Sequence, residues 1–138
     1  SVDENLAQQL NRLFDEGMFW DHTQGRLFFS DPSNLLLVAM WDDQPCGFAT
    51  AYRLQRFDHR RAEVNLYEIS VDERYQRRGV GSALVAEVNR WAREMNAAET
   101  WVLTEPTNTA ARALYRATGG HDDHPQAIMY TYRLRTSR

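Results

Sequence analysis

The sequence has one cysteine, no long hydrophobic run and little net charge. Cys46 cannot form an intrachain disulfide, so a reducing compartment and a cytoplasmic location are expected. No apolar run approaches the ~20 residues of a membrane span and no signal-peptide pattern opens the chain, so no membrane partner is expected. The formal net charge of −3 argues against extensive nucleic-acid binding.

The remaining composition is that of an ordinary globular protein. With 138 residues, 43% hydrophobic and 25% charged, the chain can bury a core without disulfides or metals. No repeat, low-complexity tract or linker interrupts it, so residues 1–138 are expected to form one α/β domain.

Hydrophobic periodicity predicts the order of the elements. They are one helix near the start (1–16, with Leu6, Leu10, Leu13 and Phe14 on one face), an irregular aromatic-rich stretch (18–32), a three-strand antiparallel meander (35–41, 46–54 and 62–71), a long helix (80–96), a short strand (100–104), a second helix (107–118) and a last strand (128–134). Because a helix joins them, strands 62–71 and 100–104 are expected to run parallel.

A basic, glycine-bearing turn, 71–82, connects the third strand to the long helix and reads V-D-E-R-Y-Q-R-R-G-V-G-S. Backbone N–H groups in such a turn and the positive end of the following helix can converge on an anion. Gly79 and Gly81 let the backbone approach a ligand without a Cβ in the way. The turn lacks a P-loop lysine, and Leu84 replaces the third glycine of a dinucleotide fingerprint. The turn is therefore predicted to bind another kind of phosphate.

Two motifs in order carry a family resemblance. The pattern [QR]-x-x-G-x-[GA] matches residues 76–81, and N-x-x-A-x-x-L-Y followed by a glycine matches Asn108, Ala111, Leu114, Tyr115 and Gly119. With both motifs on the expected elements, the chain resembles the GNAT superfamily of acetyl-CoA-dependent N-acetyltransferases. That resemblance implies a mixed, mostly antiparallel sheet whose parallel strand–helix–strand unit splays to bind coenzyme A. Only 34 residues precede Leu35, so the N-terminal part of the fold is expected to be shortened.

The resemblance also implies which residues bind acetyl-CoA, the expected co-substrate. They are Ile69, Ser70 and Val71 on the strand, Gln76, Arg77, Arg78, Gly79, Val80, Gly81 and Ser82 in the turn, and Asn108 and Ala111 on the second helix. Arg74, Arg77 and Arg78 add positive charge for the phosphates. No metal is expected, because His121 and His124 lie in a loop without further ligands at a recognised spacing.

The implied chemistry is direct attack of a neutral amine on the thioester, for which Glu68 is the candidate base. It is expected to take the ammonium proton directly or through water, or to anchor the amine. Strict strand alternation places Glu68 on the face opposite to Tyr67 and Ile69. The alternative is a structural ion pair between Glu68 and an arginine.

Three further residues receive roles or are excluded by the resemblance. Tyr115 is implied as the general acid that protonates the departing thiolate, with simple packing as the alternative. Glu105, after the short strand, is a second candidate for anchoring the acceptor. Cys46 is not needed as a nucleophile and is expected to pack within the second strand.

Within the superfamily, residues 67–71 and the loop before them are similar to small aminoglycoside 3-N-acetyltransferases of the gentamicin-resistance type. This predicts transfer to the 3-amino group of an aminoglycoside, and acidic pairs such as Asp42–Asp43 favour a polycationic acceptor. Two alternatives stay open: acetylation of another small amine, polyamine or protein amino group, and a non-catalytic module that senses acetyl-CoA. Members of the superfamily are often dimers, so a homodimer is also considered, with Tyr130 and Tyr132 among the candidate contacts.

Overall fold

The computed structural model describes residues 4–13 and 21–135. Its elements are α1 (Glu4–Leu13), α2 (His22–Ser30), β1 (Asn34–Trp41), β2 (Gln44–Leu54), β3 (Glu63–Val71), a 3-10 turn (Glu73–Tyr75), α3 (Val80–Glu94), β4 (Glu99–Trp101) and α4 (Thr109–Ala117). The strands form one sheet in the order β1-β2-β3-β4. The β1–β2 and β2–β3 pairs are antiparallel, and β3 and β4 run parallel. The expected mixed sheet and the parallel strand–helix–strand unit are both confirmed.

The core lies between the sheet and α3. The periodic stripe of α3 predicts one buried face, and Val80, Leu84 and Val88 are buried there. They pack against small and aliphatic side chains of the two central strands, including Cys46, Ala49, Ala51, Val64 and Leu66. This packing fixes the start of α3 against the end of β3, where the basic turn lies. None of the described helices combines the length and the apolar character that crossing a membrane requires.

A two-residue turn closes the β1–β2 hairpin. Asp42 and Asp43 have positive φ angles of 50° and 63°, and Trp41 pairs with Gln44. Two successive left-handed residues match the twist of antiparallel strands, and aspartate tolerates this conformation better than most side chains. The predicted turn was longer, because Gln44 and Pro45 belong to β2.

The parallel pairing of β3 with β4 is short. It joins Glu63 with Glu99, Val64 with Thr100 and Asn65 with Trp101, and ends there. Beyond this point β3 continues to Val71 while the chain after Trp101 leaves the sheet. The two strands therefore splay, as expected, and the predicted strand 100–104 is shortened to β4.

The N-terminal part differs from the prediction of a single helix and an irregular stretch. Residues His22–Ser30 form α2, because the Asp21 carboxylate caps the helix by accepting hydrogen bonds from the backbone N–H groups of Thr23 and Gln24. Leu10 of α1 is buried, as expected. The Leu13 side chain and Phe14, which were predicted to lie on the same face of this helix, are outside the part of the chain that the structure describes. Within the described residues, no strand precedes β1.

The last predicted strand, 128–134, is wrong for this chain taken alone. Residues 121–135 have neither helix nor strand, and all of them are exposed. A strand requires hydrogen bonds to a neighbour, and within the described residues no strand pairs with this segment. Its apolar residues are consequently left in solvent.

Candidate active site

The splay between β3 and the chain after β4 opens a cleft of about 320 Å³. Residues from β2, β3, the stretch 102–104 and α4 line it: Phe48, Tyr67, Glu68, Ile69, Ser70, Val102, Leu103, Thr104, Asn108, Ala111 and Tyr115. The cleft therefore brings the two proposed catalytic residues and four of the proposed cofactor residues to one place (Ile69, Ser70, Asn108 and Ala111).

A β-bulge at Tyr67 determines how β3 presents its side chains. Thr50 pairs with Glu68 and Ala51 pairs with Leu66, so Tyr67 has no partner on β2. Leu66 is only 2% exposed, whereas Tyr67 and Glu68 are both exposed. The predicted strict alternation is wrong here, because the extra residue breaks the two-residue period. Both side chains instead line the cleft.

The Glu68 side chain lines the cleft and is exposed. The Thr50 hydroxyl donates a hydrogen bond to Glu68 Oε1 at 3.2 Å. Within the described part of the chain, none of the ion pairs involves Glu68, so the structural ion-pair alternative gains no support. Two effects raise the pKa of the Tyr52 phenol: the burial of Tyr52 itself, which is the larger effect, and the negative charge of Glu68.

A row of aromatic rings leads from α2 to the cleft. Phe28 contacts Tyr52 edge to face with ring centroids 6.0 Å apart, and Tyr52 contacts Tyr67 in the same way at 5.4 Å. The row was not predicted, since it joins three elements far apart in sequence. The only local signal was the aromatic enrichment of 18–32. The row ends at Tyr67, next to Glu68 in the lining of the cleft.

Tyr115 of α4 and Asn108, which precedes α4, also line the cleft. Tyr115 is half-buried, and burial raises the pKa of its phenol above the ordinary value. Asn108 Oδ1 accepts a hydrogen bond from the Ala111 backbone N–H at 3.0 Å and caps the helix. Among the described residues Asn108 Nδ2 has no hydrogen-bond acceptor, so it can still donate to a ligand in the cleft.

The basic turn continues from the end of β3 to the start of α3. Gln76 Nε2 donates a hydrogen bond to the Val71 carbonyl at 3.2 Å, which ties the turn to the strand. Arg77 and Gly79 both have positive φ angles, 64° and 85°. No side chain caps the N-terminus of α3, so its first backbone N–H groups remain available to an anion.

The two glycines of the turn serve different purposes. A Cβ on Gly79 would meet nothing within 4 Å, so its φ of +85° is the reason for glycine. A Cβ on Gly81 would lie 3.2 Å from the Leu114 side chain of α4. Gly81 thus also allows α3 and α4 to pack closely, and its approach to a ligand stays a prediction.

The arginines of the turn are also held differently. Arg74 forms an ion pair with Asp72 at 2.8 Å, and its hydrogen bonds lower the pKa of the Asp72 carboxyl. The Arg78 guanidinium lies 5.7 Å from the ring centroids of both Trp41 and Tyr75. These cation–π contacts keep Arg78 in place without neutralising it, whereas the charge of Arg74 is already paired.

Two other predicted residues, Glu105 and Cys46, do not line the cleft. Glu105 follows the stretch 102–104 and is not among the lining residues. The buried Cys46 thiol donates to the Ala39 carbonyl at 3.5 Å, and burial raises its pKa, which disfavours the thiolate.

Ion pairs connect the 121–124 loop to α4. Asp122 lies 3.7 Å from the guanidinium nitrogens of Arg112 and Arg116. Within residues 4–13 and 21–135, no three His, Cys, Asp or Glu side chains come together as a metal site would require.

The comparison with protein families gives a direct assignment. The Acetyltransferase (GNAT) family profile matches residues 3–119. The chain belongs to this family. It is an N-acetyltransferase by family, and acetyl-CoA is its acetyl donor. A comparison with curated protein sequences finds no significant match.

Solved structures show the same fold. The aminoglycoside acetyltransferase meta-AAC0020, from an uncultured soil metagenomic sample and in complex with trehalose, has a TM-score of 0.81 at 24% identity, covering 97% of this chain and 93% of that one. AAC(6′)-Iy in complex with CoA has a TM-score of 0.79 at 23% identity, with 96% and 97% covered. A transcriptional regulator from Bacillus halodurans reaches 0.80 at 14% identity, with 94% and 96% covered. The fold alone therefore does not separate catalysts from regulators.

The residues present fit acetyl-CoA. On the side of β4, the stretch of β3 after Asn65 has no strand partner among the described residues, so an extended ligand can pair with it. The uncapped start of α3 follows the end of the same strand in the chain, after the basic turn. The pantetheine arm of coenzyme A would lie along residues 69–71, and its phosphates would bind at residues 77–82. The donor would bring a reactive thioester, and these two regions would hold it in the cleft.

Proposed function

We propose that this protein transfers the acetyl group of acetyl-CoA directly to an amino group of an aminoglycoside. The observation that supports this most strongly is the cleft itself, where Glu68 and Tyr115 line one cavity beside the open edge of β3. Their positions allow a base on the acceptor side and an acid on the donor side. A base and an acid at the same cavity can both assist direct attack.

Glu68 acts on the acceptor. An exposed carboxylate held by the Thr50 hydroxyl binds the substrate ammonium and takes its proton, directly or through water. The freed amine nitrogen forms a bond to the acetyl carbonyl carbon. The Tyr67 bulge is essential to this arrangement, because it directs Glu68 into the cleft rather than toward the core.

Tyr115 acts on the leaving group. When the carbon–sulfur bond breaks, the Tyr115 hydroxyl gives its proton to the thiolate of coenzyme A. Burial raises the pKa of Tyr115, so the phenol is protonated throughout the neutral range. The phenolate is then reprotonated from solvent at the open side of the cleft.

The acceptor side favours a cationic sugar. The aromatic row that ends at Tyr67 offers ring faces next to the Glu68 carboxylate, which suits a molecule with both apolar ring faces and ammonium groups. The solved meta-AAC0020 structure with sisomicin is a relative in fold with a ligand of this kind. The likeness of 67–71 to the gentamicin-resistance group favours the 3-amino group. The Acinetobacter haemolyticus enzyme of the same fold is named a 6′-N-acetyltransferase.

We assign the phosphates of coenzyme A to the basic turn. We place the pyrophosphate at the backbone N–H groups of 77–82, with Ile69, Ser70 and Val71 along the pantetheine arm. Arg78 is the guanidinium assigned to a phosphate, because its aromatic contacts leave its charge unpaired. Asn108 Nδ2 and the region of Ala111 complete the donor side.

The test is a panel of acceptors with thiol release from acetyl-CoA as the readout. Gentamicin, sisomicin, spermidine, lysine and a lysine-containing peptide are compared, and NMR of the product identifies the acetylated nitrogen. The proposal expects turnover with the aminoglycosides and much less with the others. Turnover with spermidine or the peptide, and none with the aminoglycosides, would show that the acceptor is another kind of amine. Coenzyme A binding without transfer to any amine would indicate the sensing module instead.

A matched pair of variants connects the result to Glu68. Glu68→Gln keeps the size of the side chain and removes the base. Glu99→Gln makes the same change at an exposed position on β4 that does not line the cleft. Loss of turnover in the first variant only would support the assignment, and equal rates in both would remove Glu68 from the mechanism.

A further inference from the structure

Two aromatic rings from different elements contact the Arg78 guanidinium at the basic turn. Trp41 is the last residue of β1, and Tyr75 is the last residue of the 3-10 turn. Arg78 Cζ lies 5.7 Å from the centroid of each ring. The two rings also contact each other, with centroids 5.9 Å apart. Trp41 and Tyr75 lie outside both sequence motifs, so neither has a role so far.

The charge of Arg78 is not neutralised by these contacts. None of the ion pairs among the described residues includes Arg78, although Asp42 and Asp43 form the adjoining hairpin turn. Arg74, by contrast, is paired with Asp72. An aromatic ring attracts a guanidinium without supplying a counter-charge. Arg78 therefore keeps its full charge and its N–H donors for a ligand.

The fold holds both rings in place. Tyr75 is half-buried and packs against the hydrophobic core, and its backbone N–H donates to the Asp72 carbonyl at 2.8 Å. Trp41 is paired with Gln44 across the hairpin. An arginine side chain that is free in solvent samples many rotamers, and ordering it when a ligand binds costs affinity. Contact with two positioned rings lowers that cost before the ligand arrives.

We propose that Trp41 and Tyr75 are positioning residues for acetyl-CoA, which hold the Arg78 guanidinium ready to bind a phosphate of coenzyme A. The end of the β1–β2 hairpin is thereby part of the donor site. This inference rests on the phosphate role proposed above for Arg78, and it does not depend on the acceptor. It also gives a reason for a large aromatic side chain at position 41, where 37% of its surface is exposed.

The first test measures the affinity of the full chain for coenzyme A by isothermal titration calorimetry. Trp41→Leu keeps an apolar side chain and removes the aromatic ring, so the Kd should rise about three- to tenfold. Trp41→Phe keeps a ring and should bind almost as well as the parent protein. Met40→Leu, at the exposed neighbouring position of β1, is the control and should leave the Kd unchanged. An unchanged Kd for Trp41→Leu, or an equal rise in Trp41→Phe or Met40→Leu, would overturn the proposal.

The second test is a double-mutant cycle that shows whether Trp41 acts through Arg78. Arg78→Ala alone should raise the Kd for coenzyme A on the order of tenfold, and adding Trp41→Leu to it should change the Kd by less than about twofold. A purely structural effect of Trp41 would weaken binding by the same factor in both backgrounds, and that result would overturn the proposal. An unchanged Kd for Arg78→Ala would refute the phosphate role of Arg78 and this inference with it. Failure to acetylate an aminoglycoside would refute the proposed function alone, because these measurements use no acceptor.

Discussion

Gly47 connects the packing of the core to the proposed donor site. This buried residue of β2 pairs with Val71, and a Cβ added to it would lie 2.9 Å from the Ser70 backbone carbonyl oxygen. It would also lie 3.3 Å from a methyl of Val80 and 3.5 Å from Leu84. The contact with Ser70 is shorter than van der Waals distance, and its partner is backbone. Gly47→Ala must therefore displace the strand that carries the proposed pantetheine site.

Overpacking of this kind typically costs about 1–3 kcal/mol. With a urea dependence of about 1–3 kcal/mol per molar, a loss near 2 kcal/mol lowers the unfolding midpoint by roughly 1 M. Because Ser70 lines the cleft, the KM for acetyl-CoA should also rise. Urea denaturation followed by tryptophan fluorescence measures the first effect, and steady-state kinetics measure the second.

A comparison with Gly79 tests the reasoning. At Gly79 a Cβ meets open space and the cost is conformational, about 1–2 kcal/mol for a left-handed residue. Asparagine tolerates that conformation, so Gly79→Asn should be more stable than Gly79→Ala. At Gly47 the cost is steric, so Gly47→Asn should be less stable than Gly47→Ala. An unchanged midpoint for Gly47→Ala, or the same order of variants at both sites, would refute this account.

Three further predictions concern the cleft. Glu68→Gln should lower kcat/KM for the acceptor on the order of 100-fold or more, because general-base assistance is lost. Tyr115→Phe should lower kcat. Tyr115→Phe should also lessen the loss of stability at alkaline pH. Burial raises the pKa of Tyr115, so above about pH 10 the folded chain keeps a proton that the unfolded chain releases. The unfolding free energy therefore falls as the pH rises from about 10 toward the higher pKa of the folded state. Arg78→Ala should raise the KM for acetyl-CoA and leave kcat nearly unchanged, since a phosphate contact is made equally in the ground and transition states.

Each of these has a result that contradicts it. A rate for Glu68→Gln within twofold of the parent protein would exclude the base. Because burial also raises the pKa of Tyr52, only part of the alkaline effect should disappear in Tyr115→Phe, and an identical pH profile of stability would show that Tyr115 does not contribute. A fall in kcat without a change in KM for Arg78→Ala would remove Arg78 from phosphate binding.

Most of the architecture followed from local patterns. The stripe of α3 and the apolar strands of the meander are periodic signals that depend on burial of one face, and the structure places them as predicted. The parallel β3–β4 pair followed from the strand–helix–strand order. The Asn108 cap and Gly119 mark the ends of α4, also close to the prediction.

What the sequence did not reveal depends on contacts between distant elements. The Tyr67 bulge appears only when β3 is paired with β2, because nothing in the residue order marks where an extra residue is accommodated. The contact of Gly81 with Leu114 requires α3 and α4 to be docked. The alternation of 128–134 is typical of a strand, but a strand also needs a hydrogen-bonding neighbour, and none of the described strands pairs with this segment. The helix α2 was not predicted, because the aromatic-rich stretch 18–32 was interpreted as irregular and the Asp21 cap was not recognised.

We propose that this chain acetylates an aminoglycoside amine with acetyl-CoA. The most direct measurement is the initial rate of thiol release from acetyl-CoA as the gentamicin concentration is raised. The account predicts a saturable rate far above the hydrolysis seen without acceptor, and its loss in Glu68→Gln. A rate that stays at the hydrolysis level up to millimolar gentamicin and sisomicin would contradict the assignment.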